Sequence, residues 1–408
     1  MLFAATRENL AFAVKALDRK ITRKKEGPTI ACLKIEGTRL HMATEGKVHM
    51  EVGIRYERLE PAKSGLFPYL GIDLKQLGVF LKGVPKKSVI EVTEEMPFIV
   101  RASEPFELTP TVFKDVLSGD AGMEVYGDMS GKDLVTAILK LAPFDGERSN
   151  PLSKYAMSCL RFEVKPSVTV VTGCDGYRLG EYTIQNEREK TGSTNGAFQI
   201  PISILNDFRK VFTAKTLPVR FSFVKWGDQA IGVTGVHDDL VSPWVTMLVP
   251  IERDEDGKPY EVFPSEVSYD NNVCDGAPSA TVTLPQDDLE KIMREAVEIA
   301  LNDKENRQPP TIQIVVRKDD SVEFIALSRS GEEYHRSTMS HAGKLHRGDK
   351  NVSIALNPQY VLDSLQGIAV QNAELNIWGR NLPVTLCDEA QSYRTLILPV
   401  TILGARAA

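Results

Sequence analysis

The sequence predicts an α+β fold made of three repeats, each a β-rich domain with two helices packed on one side. Three observations carry this: an ordinary globular composition, a set of helix signals that recurs three times in the same order, and β-branched, period-two segments between the helices. The chain has 408 residues, 42% hydrophobic and 25% charged. At roughly 100–200 residues per domain, that length implies several cores. The composition excludes disorder, collagen and coiled coil as the main architecture. No apolar run approaches the ~18–20 residues needed to span a bilayer, and the N-terminus lacks the apolar stretch of a signal peptide. A chain with no membrane contact, residing in the cytoplasm, is expected. The five cysteines are odd in number and form no C-x-x-C, which fits reduced thiols and no zinc site.

Each repeat opens with a short amphipathic helix: Thr6-Arg-Glu-Asn-Leu10, Ser130-Gly-Lys-Asp-Leu134 and Pro285-Gln-Asp-Asp-Leu289. A polar residue or proline followed by acid suits a helix N-terminus. Apolar positions then recur at helical spacing: Leu10, Val14, Leu17 and Ile21; Leu134, Ile138 and Leu141; Leu289, Met293 and Ala296. A second helix signal follows at Ile72–Leu77, Ile202–Phe208 and Pro358–Leu365. Taking Leu74, Leu205 and Leu362 as equivalents, it lies 64, 71 and 73 residues downstream. Each unit closes on an extended apolar stretch ending in proline: Phe106–Pro110, Met247–Pro250 and Thr395–Pro399. The segments at 31–36, 88–92, 167–172, 219–223, 311–316 and 374–378 read as strands. The expected domains are 1–122, 123–252 and 253–408, the last beginning with a polar, Pro/Gly-rich linker over 253–280.

No catalytic motif is present. Gly127-Asp-Met-Ser-Gly-Lys-Asp133 is one spacer short of a phosphate loop and lacks the hydroxyl residue after lysine. His335, His341 and His346 read as solvated loop histidines rather than metal ligands, and Asp238-Asp239 and Asp254-Glu-Asp256 as solvated turns. The expectation is a binding protein, not an enzyme, with no cofactor and no metal.

Net charge is −6, unevenly spread. Residues 1–122 hold 19 basic and 16 acidic residues, 123–252 hold 14 and 15, and 253–408 hold 16 and 24. Arg7, Lys15 and Arg19 lie off the apolar stripe of the first helix, with Lys20, Arg23, Lys24 and Lys25 just beyond it. Lys132 and Lys140 flank Thr136, and Lys291 and Arg294 take that place in the third copy. The second helices add Lys75, Lys82, Arg209 and Lys210. Each patch alone reads as a solvated helix face; several lining one surface would form a phosphate track blind to base sequence.

Three stretches resemble the bacterial DNA polymerase III β subunit, the replication sliding clamp. They are Arg7-Glu-Asn-Leu-Ala-Phe-Ala-Val-Lys15 with Gly27–Gly37; Thr172-Gly-Cys-Asp-Gly-Tyr-Arg-Leu179, similar to the family's Thr-Asp-Gly-His-Arg-Leu; and Asn357-Pro-Gln-Tyr-Val-Leu-Asp363 through Leu382-Pro-Val384 to Tyr393–Val400. The resemblance spans essentially the whole chain. It implies a head-to-tail homodimer whose six clamp domains close into a ring around double-stranded DNA, with helices lining the hole. The ring would tether the replicative DNA polymerase, be opened by a clamp loader, and bind other proteins carrying a clamp-binding motif.

The resemblance also implies a pocket for a short linear peptide, walled by Met157, Cys174, Gly176, Tyr177, Arg178, Leu179, Val262, Asn357, Tyr360, Leu396, Ile397, Leu398 and Pro399. Apolar residues would receive leucine and phenylalanine side chains, and Arg178 and Asn357 the polar ends. On its own chemistry Asp175-Gly176 is a hairpin turn. The implied ring interface pairs Phe106 with the Ala300-Leu301 end of a helix, positions that would otherwise read as core. The chain departs from the family at Tyr177 (usually His), Cys174 (usually Thr) and Thr401 (often Arg), which marks a divergent, phage-borne or plasmid-borne member. Two other readings stay open: a hydrolase or transferase using Asp175, Arg178 and His237, and a β-rich scaffold that never meets DNA.

Overall fold

The computed structural model describes the 408 residues other than 1–2, 20–28, 37–38, 46–47, 57, 60–69, 93–97, 102–104, 109–110, 113–122, 147–154, 187–195, 214–215, 228, 237–243, 252, 254–266, 303–309, 328–331, 347–350, 369, 389 and 402–408. Lys20, Arg23, Lys24, Lys25, Val262 and His237 therefore lie outside the described residues. The fold is α+β, as expected. Six helices of eight or more residues occur among the described residues: α1 (Arg7–Leu17), α2 (Leu74–Gly83), α3 (Gly131–Leu141), α4 (Ile202–Arg209), α5 (Gln286–Asn302) and α6 (Pro358–Leu365). They fall where the recurring signals predicted them. No described helix is long and apolar enough to cross a membrane.

Local chemistry sets the helix starts. Thr6 accepts a hydrogen bond from the Asn9 amide at 3.2 Å, and Asp73 accepts from the amides of Lys75 and Gln76 at 2.8 and 3.1 Å. Asn357 accepts from the Gln359 amide at 2.9 Å, with Pro358 fixing the first turn of α6. The predicted stripes of α3 (Leu134, Ile138, Leu141) and α5 (Leu289, Met293, Ala296) are buried, joined by Ala137 and Ile292. In α1, Leu10 and Leu17 are buried as expected, together with Ala13 and Ala16, whereas Val14 is half-buried and Ile21 lies outside the described residues. α1 packs on α2, where a β-carbon at Gly78 would meet Val14 Cγ1 at 3.3 Å. α5 packs on α6, and the Gln286 side chain donates to the carbonyls of Leu365 and Ile368.

The chain divides into two compact units. The first holds 1–135, 164–169 and 185–260; the second holds 136–163, 170–184 and 261–408. The residues of the expected middle domain are thus shared between them. The sheets give the reason. In the first unit, strand Trp244–Pro250 pairs antiparallel with His49–Arg55, setting Thr246 opposite Glu51. One sheet there runs in the order Thr111–Val112, Leu70–Asp73, Ile30–Glu36, Arg39–Glu45, His49–Arg55, Trp244–Pro250, Ala230–Val236, Arg220–Trp226, Met123–Ser130. A second sheet of five short strands ends at Pro105–Leu108.

In the second unit, strand Arg178–Gln185 pairs with Tyr393–Ile397, setting Leu179 opposite Leu396 and Glu181 opposite Arg394. That sheet continues through Val384–Cys387, Asn372–Ile377 and Ala280–Pro285. A four-stranded sheet runs in the order Glu333–Met339, Val322–Leu327, Thr311–Val316, Val352–Leu356. In each unit, ladders that join segments about two hundred residues apart in sequence hold the unit together.

One expectation is corrected here. Residues 253–280 read as linker throughout, but a one-turn helix at Tyr269–Asn272 buries Tyr269 to 8% exposure against Leu179 and Leu396. Composition masked it, because its three apolar residues, Val267, Tyr269 and Val273, are spaced among polar ones.

Candidate functional site

The site grows from a hairpin in the second unit. Strands Val168–Cys174 and Arg178–Gln185 are joined through Asp175-Gly176-Tyr177. Gly176 takes φ of 86°, a left-handed conformation that favours glycine. Asp175 accepts from the amides of Tyr177 and Arg178 at 3.0 and 2.9 Å, which locks the turn. The Asp-Gly turn read from the sequence is therefore present.

Arg178 organises what lies beneath. Its Nε donates to Asp175 at 2.9 Å, one Nη to Asp363 of α6 at 2.5 Å, and the other to the Pro143 carbonyl at 2.6 Å. The guanidinium carbon lies 4.4 Å from the Tyr360 ring centroid and 5.2 Å from that of Phe144. Burial opposes the charge, and the carboxylates of Asp175 and Asp363 outweigh it, so the pKa stands above the ordinary arginine value. Burial and the nearby Asp175 charge likewise raise the Tyr360 phenol. The Cys174 thiol is also raised, chiefly by burial, which suits packing rather than thiolate chemistry.

Above this support sits an apolar surface. Tyr177 is 45% exposed and stacks on Tyr360 with centroids 6.1 Å apart, 26° from parallel. Leu398 is 43% exposed and donates its amide to the Tyr177 carbonyl at 2.9 Å. Pro399 follows it, half-buried. Half-buried Met157 borders the turn, since a β-carbon built on Gly176 would meet its sulfur at 3.6 Å. Two large apolar side chains, Tyr177 and Leu398, are thus exposed side by side at this turn.

The expected pocket residues thus separate into two groups. Met157, Gly176, Tyr177, Tyr360, Leu398 and Pro399 form or border the open surface. Arg178, Leu179, Asn357, Leu396 and Ile397 are buried, and Cys174 is mostly covered. The expectation that Arg178 and Asn357 receive polar peptide ends is corrected: Arg178 is consumed by two carboxylates and a carbonyl, and Asn357 caps α6. Asp363 was missed; its i,i+4 spacing from Gln359, whose side-chain amide it accepts at 2.8 Å, was visible.

The expected cationic faces are described in part. Lys15, Lys75, Lys82, Lys132, Lys210 and Lys291 are exposed. Arg7 donates to the Leu81 carbonyl at 3.1 Å, and Arg19 to the Lys210 carbonyl at 2.6 Å, so both tie elements together. Arg209 donates to Asn206, and Arg294 pairs with Glu290 at 3.3 Å. Lys140 departs from expectation. It is half-buried with its ammonium 4.9 and 5.1 Å from the Tyr182 and Tyr393 ring centroids, and burial lowers its pKa. Two rings reach it from strands distant in sequence. On α5, Lys291 and Arg294 share a shallow depression with Asp287, Glu290, Glu295 and Glu298, so this face is net acidic. The side chains of Phe106 and Leu301 lie outside the described residues, and Ala300 is half-buried. Among the described residues no group of three or more His, Cys, Asp and Glu is placed to hold a metal.

No family model matches the sequence, and no curated protein does. Solved structures do. A DNA polymerase sliding clamp from Pseudomonas aeruginosa, determined with a ligand, superposes with a TM-score of 0.73 at 16% identity, covering 98% of this chain and 99% of that one. A clamp from the same organism bound to griselimycin gives 0.71 at 17% over 98% and 99%. The DNA polymerase III β subunit of Thermotoga maritima gives 0.71 at 12% identity, again over 98% and 99%. Over nearly its whole length, this chain has the fold of the DNA polymerase III β-subunit sliding clamps.

Proposed function

We propose that the chain is a processivity factor of DNA replication: a clamp that encircles duplex DNA and tethers a polymerase. The observation that carries this is the whole-chain fold likeness, in which no described segment is left over to make a separate catalytic domain. In this reading the domains are 1–122, 123–252 and 253–408, and two copies join head to tail. Strand Pro105–Leu108 ends its sheet, and a strand edge offers unpaired amides and carbonyls to a second copy. That strand carries Phe106, and the end of α5 with Ala300 and Leu301 faces it across the joint.

Retention on DNA is topological, so phosphate contacts stay weak and exchangeable. Exposed lysines on α1, α2 and α3, and Lys210 just after α4, supply them; the acidic face of α5 contributes little. The tethered polymerase stays at high effective concentration near the primer end, which raises processivity without any chemical step by the clamp. The docking surface is the apolar patch of Tyr177, Leu398, Tyr360 and Met157, and its occupant is a short peptide with leucine and phenylalanine side chains. A clamp loader, the replicative polymerase and other motif-bearing proteins compete for it in the cytoplasm.

Two measurements test the reading. Light scattering at micromolar concentration should give twice 45.2 kDa. The loaded protein should stay on nicked circular DNA and run off the same DNA once it is linearised. A strictly monomeric species, or stable retention on DNA with free ends, would overturn it.

A further inference from the structure

The apolar surface at the hairpin has an open half and a closed half. Leu179 and Leu396 lie opposite one another in the ladder, and Tyr177 and Leu398 stand two residues further out, just beyond the two strand ends and joined by the Leu398 amide to Tyr177 carbonyl bond. The outer pair, Tyr177 and Leu398, is 45% and 43% exposed, whereas the inner pair, Leu179 and Leu396, is 5% and 3% exposed.

What covers the inner pair is the chain's own segment 267–273. Tyr269 packs with Leu179 and Leu396 in one cluster, flanked by Val267, Val273, Cys174 and Cys387. Contacts at Tyr269 and Asp270 tie the strap to the sheet. The Tyr269 amide donates to Glu181 at 3.2 Å, and its phenol lies 3.3 Å from the Cys387 sulfur. Its ring centroid lies 4.5 Å from the Arg394 guanidinium, and exposed Asp270 accepts from Arg394 at 2.7 Å. Arg394 also pairs with Glu181, its neighbour in the ladder, so the sheet keeps that buried ion pair when the strap lifts. The remaining residues of the one-turn helix, Asp270, Asn271 and Asn272, are exposed.

We infer that Tyr269 fills, from within the chain, the place of a partner peptide's apolar anchor, and that the strap 267–273 is displaced when a peptide seats over Leu179 and Leu396. This rests on the peptide-docking reading of the hairpin surface. The strap lowers the apparent affinity by the fraction of molecules in which it is closed. Partners then need an anchor that competes with a tyrosine already in place, so the strap sets a threshold of affinity and selects for a bulky terminal side chain.

The test uses the full chain and a fluorescein-labelled hexapeptide ending in Leu-Phe, read by fluorescence polarisation. Tyr269→Ala removes the anchor; Asp270→Ala cuts only the exposed carboxylate contact and leaves the buried cluster in place. Both should tighten peptide binding, Tyr269→Ala by on the order of tenfold. Peptide saturation should speed hydrogen exchange of the amides in 267–273 in the unaltered chain. Unchanged or weaker binding by both variants, with slower exchange and with Tyr177→Ala still abolishing binding, would overturn displacement; the strap would then be a wall and the docking surface would stand. Binding by Tyr269→Ala but not by the unaltered chain would be the strongest support. Failure of both to bind would remove the docking surface itself, and the inference with it.

Discussion

Replacing Arg178 with methionine is expected to cost about 3–5 kcal/mol of stability, the penalty for leaving a buried carboxylate without its counter-charge. The carboxylate is that of Asp175, 1% exposed, whose Oδ2 loses the Arg178 Nε donor at 2.9 Å. The substitution also removes the guanidinium from the Tyr360 and Phe144 rings, which adds roughly 0.5–1 kcal/mol. Asp175 still accepts from the amides of Tyr177 and Arg178, so the turn persists and the loss is electrostatic. That makes the double variant informative. Adding Asp175→Asn removes the stranded charge while keeping an oxygen acceptor for the turn. The double variant should therefore be more stable than Arg178→Met alone, by about 1–3 kcal/mol. Urea unfolding followed by tryptophan fluorescence is the assay, because Trp378 belongs to the same compact unit as Arg178. A double variant less stable than the single one would refute the argument, since the guanidinium would then be a packing group and not a counter-ion.

Three more outcomes follow from named contacts. Glu51 is half-buried, and burial works to raise its pKa, but hydrogen bonds and charge from His41 (2.5 Å) and His49 bring it down to about 2. A depressed carboxylate stabilises the fold above its unfolded pKa, and that contribution, on the order of 3 kcal/mol, is lost as pH falls from about 4.5 to about 2; acid titration of Glu51→Gln should show a flatter stability profile across that window. Lys132→Ala should reduce the salt slope of DNA binding by about one, whereas Lys140→Ala should leave the slope unchanged and lower the melting temperature, because Lys140 is spent on two tyrosine rings. Gly367→Ala would place a β-carbon 2.2 Å from the fully buried Tyr393 ring, so a loss of about 1–3 kcal/mol is expected in urea unfolding.

The helices were legible because their signals are local. The Asn357 cap of α6, the Asp73 cap of α2 and the apolar stripe of α5 each need only a few neighbouring residues to form. The Asp175-Gly176 turn was legible for the same reason. The chemistry around it was not. Arg178 meets Asp363 across 185 residues of sequence, and Lys140 meets Tyr393 on a strand more than two hundred residues away. No periodicity announces such pairings, so Arg178 read as a pocket lining and Lys140 as a phosphate contact. Both are cations whose sequence context is that of a surface residue and whose partners arrive only with the sheets.

The same reasoning explains why the strap escaped notice and why it bears on function. A polar stretch with three scattered apolar residues has too little hydrophobic surface to fold by itself, so its composition reads as linker. It orders only because the sheet presents Leu179 and Leu396 as an apolar floor and Glu181 with Arg394 as a charged clasp beside it. Its internal bonds, from the Val273 amide to the Tyr269 carbonyl and from the Asn272 side chain to the Ser268 carbonyl, span a single turn, so its order rests largely on the surface beneath it. One ladder, the pairing of Arg178–Gln185 with Tyr393–Ile397, thus both ties the second unit together and supplies the apolar floor on which the strap orders.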